Sequence, residues 1–288
     1  MIKSPLNYTG GKSKLLPQIL PLFPSKINKF IDLFAGGCNV GINVEAKQLF
    51  FNDNLHPLVD MYHIFATKDI DFILQYIENR IQSFELSKTN VIGYNELRTA
   101  YNLDKNPLDL FVLIAHSFNH QIRFNNKHEF NISLGKNRSS YNDRMKKNLI
   151  AFVEKLKERN AIFTAKDFND FELDGLGKDD FVYCDPPYLI TTGSYNDGKR
   201  GFKGWTEKEE KELLLLLEQL HKKNINFALS NVLEHKGQTN QLLIDWLQNN
   251  PYLTPHPLSI SYKNSNYQTT KEGSLEVLIT NYTPAVLL

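Results

Sequence analysis

Residues 181–188 read FVYCDPPY, an apolar run that ends on an acid, two prolines and a tyrosine. Proline supplies no N–H to a β-ladder, so a strand over Phe181 to Cys184 has to stop at Asp185. A short, fully apolar strand of this kind belongs in the middle of a covered sheet, where both faces are buried. In open α/β sheets, ligands bind outside the carboxyl ends of the strands. A carboxylate, a rigid turn and an aromatic ring fixed at such an end make a candidate site.

The rest of the chain supplies a sheet for that strand. KFIDLFAGG (29–37) reads as a buried strand running into a glycine turn, CNVGINVEAKQL (38–49) as the helix after it, and FFND (50–53) as a second strand. From Leu55 to about Leu113 the apolar residues recur at three- and four-residue spacing, which predicts helices and breaks the β/α alternation. Alternation resumes at NAIFTAKDF (160–168) and continues through FVYCDPPY and NINFALSNV (224–232), with a last strand pair expected at LSISYK (258–263) and SLEVLITNY (274–282). Between them, Thr206 and Glu209 form a capping box ahead of a leucine-rich helix. The expected fold is a doubly wound α/β sheet interrupted by a mainly helical insertion. The predicted division is 1–54 and 148–288 for the two parts of one catalytic domain, and 55–147 for an inserted recognition domain.

Two stretches are rich in glycine. NYTGGKSKLL (7–16) ends like a phosphate-binding loop, but position 6 is leucine where that pattern needs glycine, and the stretch precedes the first strand. DLFAGGCNVG (32–41) is better placed, between a strand and the predicted helix, whose positive end would face a ligand beside Gly36 and Gly37. Asp53 follows about 20 residues on, where an acid can accept from two ribose hydroxyls. The stretch is not G-x-G-x-x-G, so a nucleoside without a pyrophosphate is favoured, and S-adenosylmethionine is such a molecule.

For a weakly nucleophilic amine such as N6 of adenine, Asp185 and the Pro186 carbonyl can each accept one N–H while the Tyr188 ring stacks on the base. At this point PLNYTGGKSKLL, FIDLFAGGCNVG, FFND and DPPY, in that order, resemble the Dam-type (D12 class) adenine-N6 DNA methyltransferases over nearly the whole chain. NHQIRFNNKHEFNISLGK (119–136) also resembles that family's recognition segment. The resemblance implies a Rossmann-like S-adenosylmethionine-dependent sheet and adenine-N6 transfer in a short duplex site. It implies that Tyr8, Lys12, Phe34, Gly36, Asp53 and Asp185 contact the cofactor or sit at its edge, with Asp167 and Phe168 near its adenine. Asp185, Pro186 and Tyr188 would hold the target base. Leu33, Cys38 and Tyr8 depart from the residues usual in the family at those places.

Cysteine chemistry is not expected, because neither Cys38 nor Cys184 follows a proline and both read as small buried hydrophobes. No metal is expected either, since the histidines form no ligand pattern. The formal net charge is only +1, so DNA affinity has to be local. Residues 116–147 supply it, with seven Lys and Arg against two acids. Within this stretch Arg123 and Asn125 are expected to order the surface, and Asn137 and Arg138 to touch DNA. Lys199, Arg200 and Lys203 form a second patch, read as a loop closing over an extruded base. The expected partners are double-stranded DNA and a cognate restriction endonuclease acting separately, with the chain a monomer or weak dimer. A cytoplasmic location is expected, since no signal-like or membrane-spanning stretch is present. RNA adenine methylation, and DNA binding without catalysis on the same scaffold, are the competing readings.

Overall fold

A computed structural model describes residues 1–191, 204–259 and 273–285. The strands are β1 (Lys29–Asp32), β2 (Gln48–Asn52), β3 (Ile162–Thr164), β4 (Phe181–Cys184), β5 (Asn226–His235), β6 (Gln238–Thr239), β7 (Thr254–Leu258) and β8 (Ser274–Thr280). They form one sheet in the order β3-β2-β1-β4-β5-β8-β7, with β6 turned back on β5. The first five are parallel neighbours, while β8 and β7 run antiparallel at one edge.

Both faces of this sheet are covered, which is why β4 is apolar throughout and β1 is buried from Phe30 to Asp32. Successive side chains alternate between the two cores. Phe30, Phe51, Phe181 and Tyr183 face one. Ile31, Val182, Cys184 and Phe227 face the other. The first core is closed by α1 (Leu16–Ile19), α2 (His56–Thr67), α3 (Ile70–Ser83), α4 (Val91–Asp104), α5 (Pro107–His116) and α6 (Asp143–Glu158). The second is closed by α7 (Glu207–Lys222) and α8 (Gln241–Asn249).

The helical stretch forms as its spacing requires. Asn90, Asn106 and Asn142 cap α4, α5 and α6, each accepting a backbone N–H of the first turn. Helix α5 is buried from Leu108 to His116, and its buried Asp109 is held by a two-pronged contact from Arg80 on α3, at 2.7 and 2.6 Å. Helix α7 has the expected capping box at Thr206 and Glu209, and its leucines 213, 214, 217 and 220 enter the second core.

Two expectations are corrected. There is no helix over 38–49; a single 3-10 turn, Gly41–Asn43, leads into β2. Val40, Ile42, Val44 and Ala46 are buried while Asn43, Glu45 and Lys47 are not, a period of two that belongs to extended chain. With that helix goes the positive end expected to face a ligand. The last strand pair also begins earlier: β7 covers Thr254–Leu258, whereas 260–263 lie outside the described residues. Pro255 and Pro257 argue against a strand there, but β7 is an edge strand, where prolines are tolerated. No helix among the described residues is long and apolar enough to cross a membrane.

Candidate active site

From β1 the chain winds to one side of the sheet, into β2 and β3, and from β4 to the other, into β5. The carboxyl ends of β1 and β4 therefore flank a topological switch point, where an open α/β sheet leaves a crevice. A cavity of about 390 Å³ opens there. That volume suits a small-molecule ligand.

The β1 side of the cavity is built on the glycine turn. Gly36 takes a left-handed backbone (φ 46°), donates its N–H to Asp53 Oδ2 at 2.9 Å and accepts from the Tyr62 hydroxyl at 2.8 Å. A Cβ at Gly36 or Gly37 would come within 2.8 Å of Tyr8. The missing side chains thus make room first for Tyr8, which lines the cavity from the start of the chain. Cys38 also has a left-handed backbone (φ 56°), so the cysteine that stands where glycine is usual keeps a glycine-like geometry. Asp53 accepts a second backbone N–H, from Leu55, on its other oxygen. Burial pushes its carboxyl upward, and these two N–H donors pull it back.

One wall is aromatic. Phe34 packs against Phe168 at 5.4 Å and edge-on against Trp205 at 5.6 Å, and Phe168 meets Trp205 at 5.6 Å. Trp205 donates its indole N–H to the buried Glu210 at 2.7 Å, and Asn231 holds the other oxygen of that carboxylate. Asp167 caps the short turn that presents Phe168, accepting from Asn169 N–H. All three rings and Asp167 line the cavity, giving it an aromatic wall on which a flat heteroaromatic ring can pack.

The β4 side is charged. The Lys12 ammonium, buried beside the glycine pair, lies 2.8 Å from Asp185 Oδ1 and 3.5 Å from Glu276 Oε1, and donates to Gly10 O. It also stands 5.0 Å above the Tyr188 ring. The Tyr188 hydroxyl lies 3.1 Å from Asp185 Oδ1 and 2.8 Å from Glu276 Oε1. Burial pushes the Asp185 carboxyl up, the Lys12 charge draws it down, and Glu276 pushes it up again.

Between the two sides sits Asp32, the last residue of β1. Its Oδ2 accepts a long contact from Gly41 N–H at 3.3 Å, and its buried Oδ1 has no hydrogen-bond partner among the described residues. Burial, with the nearby Asp185 charge, pushes this carboxyl well above the usual range. A buried carboxylate oxygen facing a cavity calls for a cation or a proton.

The structure thus brings Tyr8, Lys12, Phe34, Gly36, Asp53, Asp167, Phe168, Asp185 and Pro186 onto one cavity together with Tyr188. The residues expected at DNA lie apart from it. Arg123 is directed to its own loop, donating to the side chain and carbonyl of Asn131. Asn125 organises the turn to Glu129, accepting from Lys127 and Glu129 N–H. Asn137 and Arg138 are exposed. Arg138 lines a second, polar cavity of about 420 Å³ with Asn7, Asn119 and His120, and Thr9 lines both cavities. Lys199, Arg200 and Lys203 lie outside the described residues.

Sequence reasoning missed Asp32, Trp205, Glu210 and Glu276. Asp32 was detectable, since it ends a strand before a turn just as Asp185 does. Glu276 carried a weaker signal, an acid inside an apolar strand. Glu210 was masked by the acidic first turn of α7, and Trp205 by its distance from every motif.

The comparisons agree with this geometry. A modification methylase, StsI, from Streptococcus sanguinis is 52% identical over 98% of this chain, and a type II methyltransferase, M.FokI, from Planomicrobium okeanokoites is 50% identical over 98%. This chain spans 43% of the length of each. A DNA adenine methylase from Haemophilus influenzae is 27% identical, covering 78% of both chains. The D12 class N6 adenine-specific DNA methyltransferase profile matches residues 8–268, from Tyr8 near the start of the chain past Asp185 and Trp205, and so takes in the residues that line the cavity, with Glu276 beyond it. With its motifs, its sheet and its switch-point cavity in agreement with that match, the chain belongs to the D12 class N6 adenine-specific DNA methyltransferase family.

Proposed function

We propose that this chain transfers a methyl group from S-adenosylmethionine to N6 of an adenine extruded from a short duplex DNA site. The observation that carries the reading is Asp185, fixed at the switch-point cavity that also holds the aromatic wall of Phe34, Phe168 and Trp205. The residues present fit the donor. The aromatic wall suits its adenine, Asp53 keeps lone pairs for its ribose, and Asp32 Oδ1, without a partner among the described residues, suits its ammonium. When bound, S-adenosylmethionine supplies an electrophilic methyl on a sulfonium.

The chain's own residues do the rest. Lys12 and Tyr188 both meet Asp185 on Oδ1, which fixes the carboxylate and turns its second oxygen to the target amine. Asp185 and the Pro186 carbonyl each accept one amine N–H, directing the nitrogen lone pair toward the donor. Methylation makes that amine strongly acidic, so Asp185 has only to receive a departing proton. Pro186 and Pro187 keep both acceptors rigid.

Residues 55–147 serve as the target-recognition unit in this reading, set between the two parts of the catalytic domain, 1–54 and 148–288. Arg123 and Asn125 order its surface, and Asn137 and Arg138 meet the DNA. The relatives named as a modification methylase and a type II methyltransferase support a modification role; in this reading the enzyme is cytoplasmic and protects its sites from a separate endonuclease. The test is expression in a methylation-free host, followed by sequencing that detects N6-methyladenine. The expected result is modified adenine in one short motif, absent with Asp185→Ala. Label from the methyl donor found only in RNA, or in no nucleic acid, would overturn the reading.

A further inference from the structure

Glu276 lies on β8, far in sequence from every motif of the cavity, yet its carboxylate reaches the centre of the charged cluster. We infer that Glu276 is a positioning residue for methyl transfer: it shares the Lys12 ammonium with Asp185 and holds the Tyr188 hydroxyl, keeping the cluster at net negative charge before the amine. The inference rests on the proposed function and extends it to a residue outside the DPPY motif.

The argument is one of charge and geometry. Lys12 is a single cation shared by two carboxylates, at 2.8 Å from Asp185 and 3.5 Å from Glu276. With Asp185 alone, the lysine would neutralise it and leave a poor acceptor for an amine that becomes cationic as the methyl arrives. With Glu276 present the trio carries one net negative charge, which favours that developing positive charge. The Tyr188 hydroxyl lies nearer Glu276 than Asp185, 2.8 against 3.1 Å. Glu276 thus shares the single Tyr188 proton with Asp185, which lessens the hold of that proton on Asp185 and keeps it basic.

Glu276 is enclosed by the groups it would control. Lys12 faces it from the turn after the glycine pair, Asp185 and Tyr188 from the segment after β4, and the buried Tyr183 from β4 itself. Its register partners in the sheet, Val232 on β5 and Leu258 on β7, are uncharged. Glu276 is buried to 7% exposure. A carboxylate so placed on a strand would be costly without such partners.

The charge of Glu276 pushes both Asp185 and Lys12 upward. Glu276→Gln keeps the shape and removes the charge, so both groups should titrate at lower pH. In single-turnover methyl transfer, both limbs of the pH–rate profile should therefore move to acid by about one pH unit. The rate should fall about a hundredfold, with affinities for donor and DNA changed by less than about threefold. Glu276→Asp should restore the limbs and part of the rate. A merely structural role would lower the plateau and leave the limbs in place, and that result, or wild-type behaviour of Glu276→Gln, overturns the inference. A wild-type chain that methylates no DNA would sink the functional reading instead. The inference is then decided by carboxyl ¹³C titration, with the Asp185 signal assigned against Asp185→Asn. The midpoint of that signal should be lower in Glu276→Gln than in wild type, and an unmoved midpoint would refute the role.

Discussion

Strands β1 and β4 lie side by side, run the same way and each lead to an aspartate at the cavity, yet the two carboxylates live in opposite circumstances. Asp185 follows its strand into a proline turn and brings its own cation, Lys12, and a hydroxyl, Tyr188. Asp32 precedes a glycine turn and leaves one oxygen with no partner among the described residues. Aspartates at the ends of two neighbouring strands, two residues apart in register, therefore serve two purposes. A carboxylate held by the chain's own groups is ready to act on a substrate, and a carboxylate left open is ready to receive a charged ligand.

The largest expected effect tests the first half of this contrast. Asp185→Ala should lower single-turnover transfer by about a thousandfold or more. Donor affinity should change by only a few fold, since Asp32 and the aromatic wall remain. Equal losses of rate and affinity, measured by rapid quench and calorimetry, would erase the distinction between the two acids.

Asp32→Asn should show the reverse pattern. Donor affinity should fall about a hundredfold, as a buried charged pair with the ligand's ammonium is lost. The ligand-free chain should become more stable at neutral pH, because a buried charge disappears. The pH dependence follows in sign. The folded-state carboxyl titrates well above its ordinary value of 3.8, so the folded state holds the proton longer than the unfolded one. Stability therefore falls as pH rises from that value through the raised one, and Asp32→Asn should make the slope shallower, with Asp53, Asp185 and Glu210 keeping the remainder. Thermal melts of both chains across pH 4–7 would detect an unchanged slope.

The aromatic wall, in turn, depends on Glu210. Glu210→Ala should free the Trp205 indole, lower donor affinity about tenfold through the lost hydrogen bond to a charged group, and abolish any donor-induced change in Trp205 fluorescence. A fluorescence change that survives in a Trp246→Phe background would show that the wall is fixed by other contacts.

The smallest effect concerns the two turns. Cys38→Gly should change stability by no more than about 1 kcal/mol, because relief of a left-handed backbone offsets the loss of a small buried side chain. A larger loss, read from denaturant unfolding, would show that the turn after β1 needs more than backbone freedom.

Much of the fold was legible because apolar periodicity reports burial directly. The capped helix at Thr206 and the strands around Phe30 and Val182 follow from it. The false helix over 38–49 had its own period, Val40, Ile42, Val44 and Ala46, but the glycine turn drew a helix reading from context. At β7, two prolines concealed an edge strand, since only the strand order shows which N–H groups need no partner.

The sequence by itself determined the parallel strands of the sheet, where β4 must stop, and that Asp185, Pro186 and Tyr188 stand together at its end. Those are local facts, written in side-chain alternation and in the missing N–H of proline. Only the tertiary structure decided that Asp185 shares Lys12 with Glu276, that Tyr8 fills the space left by Gly36, and that Asp32 Oδ1 is left open among the described residues. Charge and desolvation depend on distance through space rather than along the chain, and residues 12, 185 and 276 become neighbours only when the sheet is wound.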